Sequence, residues 1–132
     1  SDPCRAVYKR IESSFRRFGL SLTHYAFFLE VTPDDRRELH IHGALVLGDM
    51  NLSQVKAALR HAGGAFSGPA AARQVDFMDF DPARGGPVGW ARYPTKAVAL
   101  TRATIQHTRV TYISSALRRL GRERWEQQRK AN

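Results

Sequence analysis

Two histidines separated by a single residue, His40 and His42, stand in the apolar stretch ELHIHGALVL. Residues two apart on a strand point to the same side. Both imidazoles are therefore expected to meet one metal ion while Ile41 turns into the core. Gly43 follows at once, and a strand glycine often marks a place where a ligand or another chain comes close. Glu30, inside the preceding FFLEVT, shares the parity of 40 and 42, so a tight hairpin sets all three on one face. Glu38 has the same parity and competes as the third ligand. Glu30 is preferred because it interrupts an apolar strand, where a surface role explains it less well. Two neutral nitrogens and one carboxylate, with coordination positions left open, suit Mn²⁺ or Mg²⁺ acting on a phosphate.

A second pattern is Tyr93-Pro94-Thr95-Lys96. Pro94 has no amide hydrogen and fits the first turn of a helix. Tyr93 then stands where the positive end of the helix dipole favours phosphate. Lys96, three residues on, shares its face. A phenolate is a competent nucleophile on phosphorus and a neighbouring ammonium can hold the phosphate. Arg92, beside the tyrosine, is a further candidate phosphate contact, and Trp90 a candidate platform for a base.

Together, ELHIHGALVL, GWARYPTK and the strand FFLEVT resemble the HUH endonucleases, the superfamily of rolling-circle replication initiators and relaxases. The resemblance covers residues 23–114. It implies an α+β fold, a central antiparallel sheet flanked by helices, in a single nuclease domain over residues 1–132. It implies a metal held by His40, His42 and Glu30, with Tyr93 as nucleophile and Lys96 beside it. The implied activity is nicking of single-stranded DNA at an origin hairpin or nick site through a 5′-phosphotyrosine, initiating replication of a plasmid or virus. A helicase domain or host helicase is the implied partner. The chain has one tyrosine of this kind, whereas some phage initiators and relaxases have two, and no third histidine stands beside the pair as in many relaxases. A relaxase or single-strand transposase of the same chemistry is the nearest alternative. A cupin-like site lacks its acid, since residues 44–48 contain none, and a two-histidine phosphoesterase lacks its second motif. The non-enzymatic alternative is a basic nucleic-acid-binding module.

The elements that must position these residues follow from periodicity. An amphipathic helix is expected over residues 5–17, with Ala6, Val7, Ile11 and Phe15 along its apolar side, ending near Gly19. Strands are expected at 23–32 and 38–47, joined by the turn PDDRR and paired antiparallel. A helix capped by Asn51 or Ser53 should run to about His61, with Val55, Ala58 and Leu59 inward. A strand over 73–80, a helix over 93–104, a strand over 108–114 and a basic helix over 115–130 complete the order. His24, His61 and His107 are scattered, with His24 the one whose parity could bring it near the metal site.

The 132 residues suffice for one domain. Twenty-one Lys and Arg outnumber 12 Asp and Glu, for a net charge of +9, which suits a polyanionic partner. Arg73, Arg84 and Arg102, the first helix, and Arg118, Arg119, Arg122 and Arg124 supply cations for a single strand. No apolar run approaches the roughly 20 residues needed to cross a bilayer, so no membrane partner is expected. The single cysteine, Cys4, allows no internal disulfide, consistent with a cytoplasmic setting or whichever host compartment holds the replicon. The opening SDPCRAVYKR has neither an initiator Met nor a signal-peptide pattern, and the chain is expected to be an excised domain.

Overall fold

Asp2 begins the first helix: its side chain accepts a hydrogen bond from the Arg5 amide, and Pro3 occupies the first turn, where its missing N–H costs nothing. In the computed structural model, which describes residues 2–31, 39–64, 75, 77, 79 and 98–131, this helix, α1, runs Pro3–Arg17. It buries Cys4, Ile11, Ser14 and Phe15. Its start lies two residues before the one expected from hydrophobic period. Ala6, expected on the apolar side, is exposed, because the buried stripe runs through Cys4, Ile11 and Phe15.

Strands β1 (Tyr25–Val31) and β2 (Leu39–Leu45) pair antiparallel, with Tyr25 opposite Leu45 and Glu30 opposite His40. After β2 comes helix α2 (Leu52–Gly63), capped by Asn51, whose side chain accepts from the Gln54 amide. Helix α3 (Val98–Ile105) precedes the short β3 (Thr111–Ile113), which pairs antiparallel with the other edge of β1, and the chain continues into α4 (Ser115–Ala131). The described residues thus form an α+β arrangement of four helices and a three-stranded antiparallel sheet ordered β2-β1-β3. Of the expected strand at 73–80, Phe77 is seen half-buried against the core, with the Lys56 ammonium 5.8 Å from its ring centre. Val75, Phe77 and Asp79 are the described positions of that stretch and none of them is in a strand, contrary to expectation; its other positions, and positions 93–97 of the expected helix at 93–104, lie outside the described residues. Among the described residues no helix is long and apolar enough to cross a membrane.

The alternation of β1 divides the sheet into two unlike faces. Tyr25, Phe27 and Leu29, with Tyr112 of β3, pack against Cys4, Ile11 and Phe15 of α1 and Val55 and Ala58 of α2. Ser14, a polar residue inside this layer, donates its hydroxyl to the Ala58 carbonyl at 2.5 Å and lies 3.2 Å from His61 Nδ1. That hydrogen bond makes its burial tolerable and ties α1 to α2. Cys4 is fully buried, with its thiol 3.5 Å from the Arg109 carbonyl. The opposite face carries Phe28, Glu30, His40 and His42 and is called the histidine face below.

Ile41 departs from expectation. It lies on the helix-covered side opposite Leu29, yet it is 48% exposed, as is Leu39. β2 is an outer strand of the described sheet, and its far end, at Leu45, is the part that reaches the core. Leu39 and Ile41 lie beyond the cover of α1 and α2. Gly43 also has a different partner from the one its type suggested. A β-carbon there would stand 3.1 Å from the Ala26 carbonyl oxygen and 3.4 Å from Phe27 Cβ, so the close approach is by β1 itself.

One buried side-chain hydrogen bond fixes α3 to the sheet. Thr101, 1% exposed, accepts at Oγ1 from the Val31 amide at 3.0 Å. Substitution Thr101→Val leaves that amide buried without a partner and is expected to cost about 1–3 kcal/mol in urea unfolding. Thr104→Val is the control. Its hydroxyl bonds only the Leu100 carbonyl one turn back, on an exposed surface, and its loss should stay within about 0.5 kcal/mol.

Candidate functional site

Register alone places three candidate ligands together. Glu30 is the direct cross-strand partner of His40, and His42 follows on the same side, opposite Phe28. The His42 ring lies flat on Phe28, with centroids 5.0 Å apart and planes 17° from parallel. Phe28 itself is 2% exposed, so it provides a rigid apolar floor that limits how the imidazole can turn. His42 Nε2 stands 3.6 Å from Glu30 Oε2. With metal–donor bonds of about 2.1 Å, adjacent ligands of one octahedral ion lie roughly 3.0 Å apart, so this pair has to close by only about half an ångström to share an ion.

The third donor is less advanced. The His40 and His42 ring centres are 6.4 Å apart, and among the described residues no three metal-binding side chains converge on one point. His40 is exposed, directly across the strand pair from Glu30. The donor chemistry, two imidazoles and a carboxylate on one face, fits a divalent cation. Glu38, the competing ligand, lies outside the described residues.

The other histidines are engaged elsewhere. His24 precedes β1, with Nδ1 2.8 Å from the Thr23 hydroxyl. His61 sits against Ser14 and the edge of Phe18, and His107 Nδ1 accepts from the Arg109 amide. His24 is thus at the opposite end of β1 from Glu30 and is no part of the cluster.

Three of the four tyrosines are accounted for by packing. Tyr112 stacks on Tyr8 at 4.3 Å and also meets Tyr25 and Phe27, all on the helix-covered face. Burial, then the hydrogen bond to Glu12 at 2.7 Å and its negative charge, hold the Tyr25 phenol well above its usual range. A phenol so placed is a poor source of phenolate. Tyr93 is the tyrosine left over.

Tyr93, Lys96, Trp90, Arg92, Arg73 and Arg84 lie outside the described residues. Val98, where α3 begins, is two residues after Lys96 and five after Tyr93, and α3 is tethered through Thr101 to Val31, the neighbour of Glu30. Thr101 was not among the residues singled out from sequence. Nothing in VALTRATI distinguishes it from Thr104. Phe28 was also passed over, although its parity with Glu30 was readable.

Of the basic candidates, Arg118, Arg119, Arg122 and Arg124 are exposed on α4. Arg102 is committed locally, with Nε donating to the Thr108 carbonyl at 2.7 Å. No family model, curated protein or solved structure matches the chain.

The site can be tested by metal affinity alone. His42→Ala and Glu30→Ala are each expected to weaken Mn²⁺ binding, read by calorimetry, by more than about tenfold. His40→Ala should do likewise, while shifting the unfolding midpoint little, since an exposed side chain typically contributes within about 0.5 kcal/mol. A larger loss from Glu38→Ala than from Glu30→Ala would transfer the third ligand to position 38.

Proposed function

We propose that this chain is a metal-dependent, sequence-specific endonuclease and strand transferase of the HUH type. In this reading it nicks single-stranded DNA and initiates rolling-circle replication of a plasmid or virus. The observation that carries the reading is the cluster on the histidine face: Glu30 and His42 at 3.6 Å, with His40 directly across from Glu30. The removal of Tyr8, Tyr25 and Tyr112 as nucleophiles by packing, and the tether that holds α3 beside Glu30, support Tyr93 as the attacking group.

Mn²⁺ or Mg²⁺ held by His40, His42 and Glu30 would supply a Lewis acid at the scissile phosphate. Tyr93 gives up its phenolic proton and its oxygen bonds to phosphorus, in line with the departing 3′ oxygen. That oxygen takes up a proton and leaves as a 3′ hydroxyl, while the phosphate remains on Tyr93 as a 5′-phosphotyrosine. The new ester preserves the phosphodiester linkage energy, so a free 3′ hydroxyl can attack it and join strands. Lys96 neutralises charge on the phosphate oxygens, and Arg92, Arg73 and Trp90 hold the strand on either side. The Phe28 floor keeps His42 from swinging away between turnovers. Such an enzyme would act in the cytoplasm or the compartment that holds the replicon, with a helicase, covalently joined or supplied by the host, opening the duplex behind it.

A second reading has one observation in its favour. The Glu30–His42 contact is also what a simple ion pair on a half-exposed sheet looks like, and a basic nucleic-acid-binding module would need nothing more. The two are separated by a covalent-adduct assay. With single-stranded origin DNA and Mn²⁺, the parent chain should give a species of retarded mobility that survives denaturation, and chelator should prevent it. Tyr93→Phe should abolish the adduct and leave DNA affinity within about twofold, since only one hydroxyl is removed. An adduct that persists in Tyr93→Phe, or cleavage by the His40→Ala/His42→Ala double variant in chelator, would overturn the assignment.

A further inference from the structure

Helix α4 has no buried residue, and from Gly121 to Ala131 every residue is exposed. Seventeen residues make a rod about 25 Å long. Only its first turns touch the domain, through half-buried Ala116, Leu117 and Leu120. Its base is well fixed. Ser114 is buried, its amide donates to the Tyr25 carbonyl at 2.9 Å, and its hydroxyl accepts from the amides of Tyr25 and Leu117. A helix anchored at one end and solvated along the rest has no packing reason to be there.

Its side chains are sorted by face. Arg118, Arg122, Trp125 and Arg129 are spaced four, three and four apart, the repeat of a single helical stripe. Arg119, Arg124 and Lys130 fall on other sides. Trp125 is 57% exposed, and the Arg129 guanidinium lies 4.9 Å from its ring centre. Cations flanking a flat exposed aromatic are what an unpaired polynucleotide needs: charge for its phosphates and a surface on which a base can stack.

Two other occupants fit the stripe less well. An anionic lipid surface prefers an apolar face separated from the basic one, but here the tryptophan sits between arginines. A second copy of α4 would need an apolar seam, but Leu117 and Leu120 are followed on that side by Arg124 and Gln128.

We infer that α4 is a binding arm for single-stranded nucleic acid, in which Arg118, Arg122 and Arg129 hold phosphates and Trp125 stacks on an unpaired base. The inference deepens the endonuclease reading and rests on it for the choice of single strands. The arm leaves the sheet at Tyr25, five residues along β1 from Glu30, or about 17 Å at 3.4 Å per residue. It therefore grips nucleotides flanking the cleavage site.

The test is affinity for a 20-nucleotide oligothymidylate against salt, in chelator so that no cleavage occurs and the metal site plays no part. Arg118→Ala/Arg122→Ala/Arg129→Ala should reduce the log–log salt slope by about two, at roughly 0.7 per phosphate contact. Lys56→Ala/Arg60→Ala/Lys130→Ala removes the same charge from outside the stripe and should leave the slope nearly unchanged. Trp125→Ala should weaken binding on the order of tenfold and remove part of the fluorescence quenching that the oligonucleotide causes. Equal slope losses from the two triple variants would overturn the proposal, because total charge would then suffice. So would an unchanged affinity in the first triple variant, or a defect confined to phosphatidylserine vesicles, which would make α4 a lipid-binding helix. Circular dichroism of each variant confirms that the helix is retained.

Discussion

Glu30 stands across from His40 because β1 and β2 are locked in one register, and the functional reading depends on that pairing. The lock is hydrophobic. Tyr25, Phe27, Leu29 and Val31 are all buried on one side of β1, and a slip of one residue would exchange them for Ala26, Phe28 and Glu30. A carboxylate would then enter the core while four large apolar groups met water. Gly43 reinforces the same register from β2, since its missing side chain lets the strands close where Phe27 lies opposite. The juxtaposition of Glu30, His40 and His42 is thus a by-product of core packing on the other side of the same strand.

That division of labour also explains the distribution of aromatic residues. Tyr8 of α1, Tyr25 and Phe27 gather around the Tyr112 ring between α1 and the sheet, where their size is used and the Tyr25 hydroxyl is held by Glu12. On the histidine face Phe28 is the one such ring among the described residues, and it supports one imidazole. A polar site on a sheet this small needs such a floor, because few neighbours exist to hold a ligand side chain in one rotamer.

The parts of this arrangement carried by local pattern could be read from the sequence. The parity of Glu30, His40 and His42 needs only two strands and a hairpin, and the Asn51 cap and the inward Val55 and Ala58 of α2 needed only helical period. What could not be read depended on how far one element extends over another. Ile41 has the type and parity of a core residue, and its exposure reflects where α1 and α2 stop. Ser14 reads as a break in an apolar stripe and is instead a buried link to Ala58. Thr101 acquires its role solely from Val31, seventy residues earlier in the chain. Arg118, Arg119 and Arg122 were legible as a basic cluster, but their separation into different faces of α4 became visible only once the helix was seen to stand free. The YPTK segment lies outside the described residues, so its part in the site rests on sequence.

Cys4 gives the molecule an internal clock. Burial raises its thiol above the ordinary range, with the Asp2 carboxylate adding to the effect, and no part of it is exposed. Alkylation needs a solvated thiolate, so the group can react only when α1 lifts away from the sheet. Because Cys4 is the lone cysteine, the rate at which it takes up an alkylating reagent under native conditions measures one event, the opening of the helix that closes the core. The chain is by the same token indifferent to mild oxidants in its closed form, and a cysteine placed on the exposed length of α4 could carry a probe without removal of the native one.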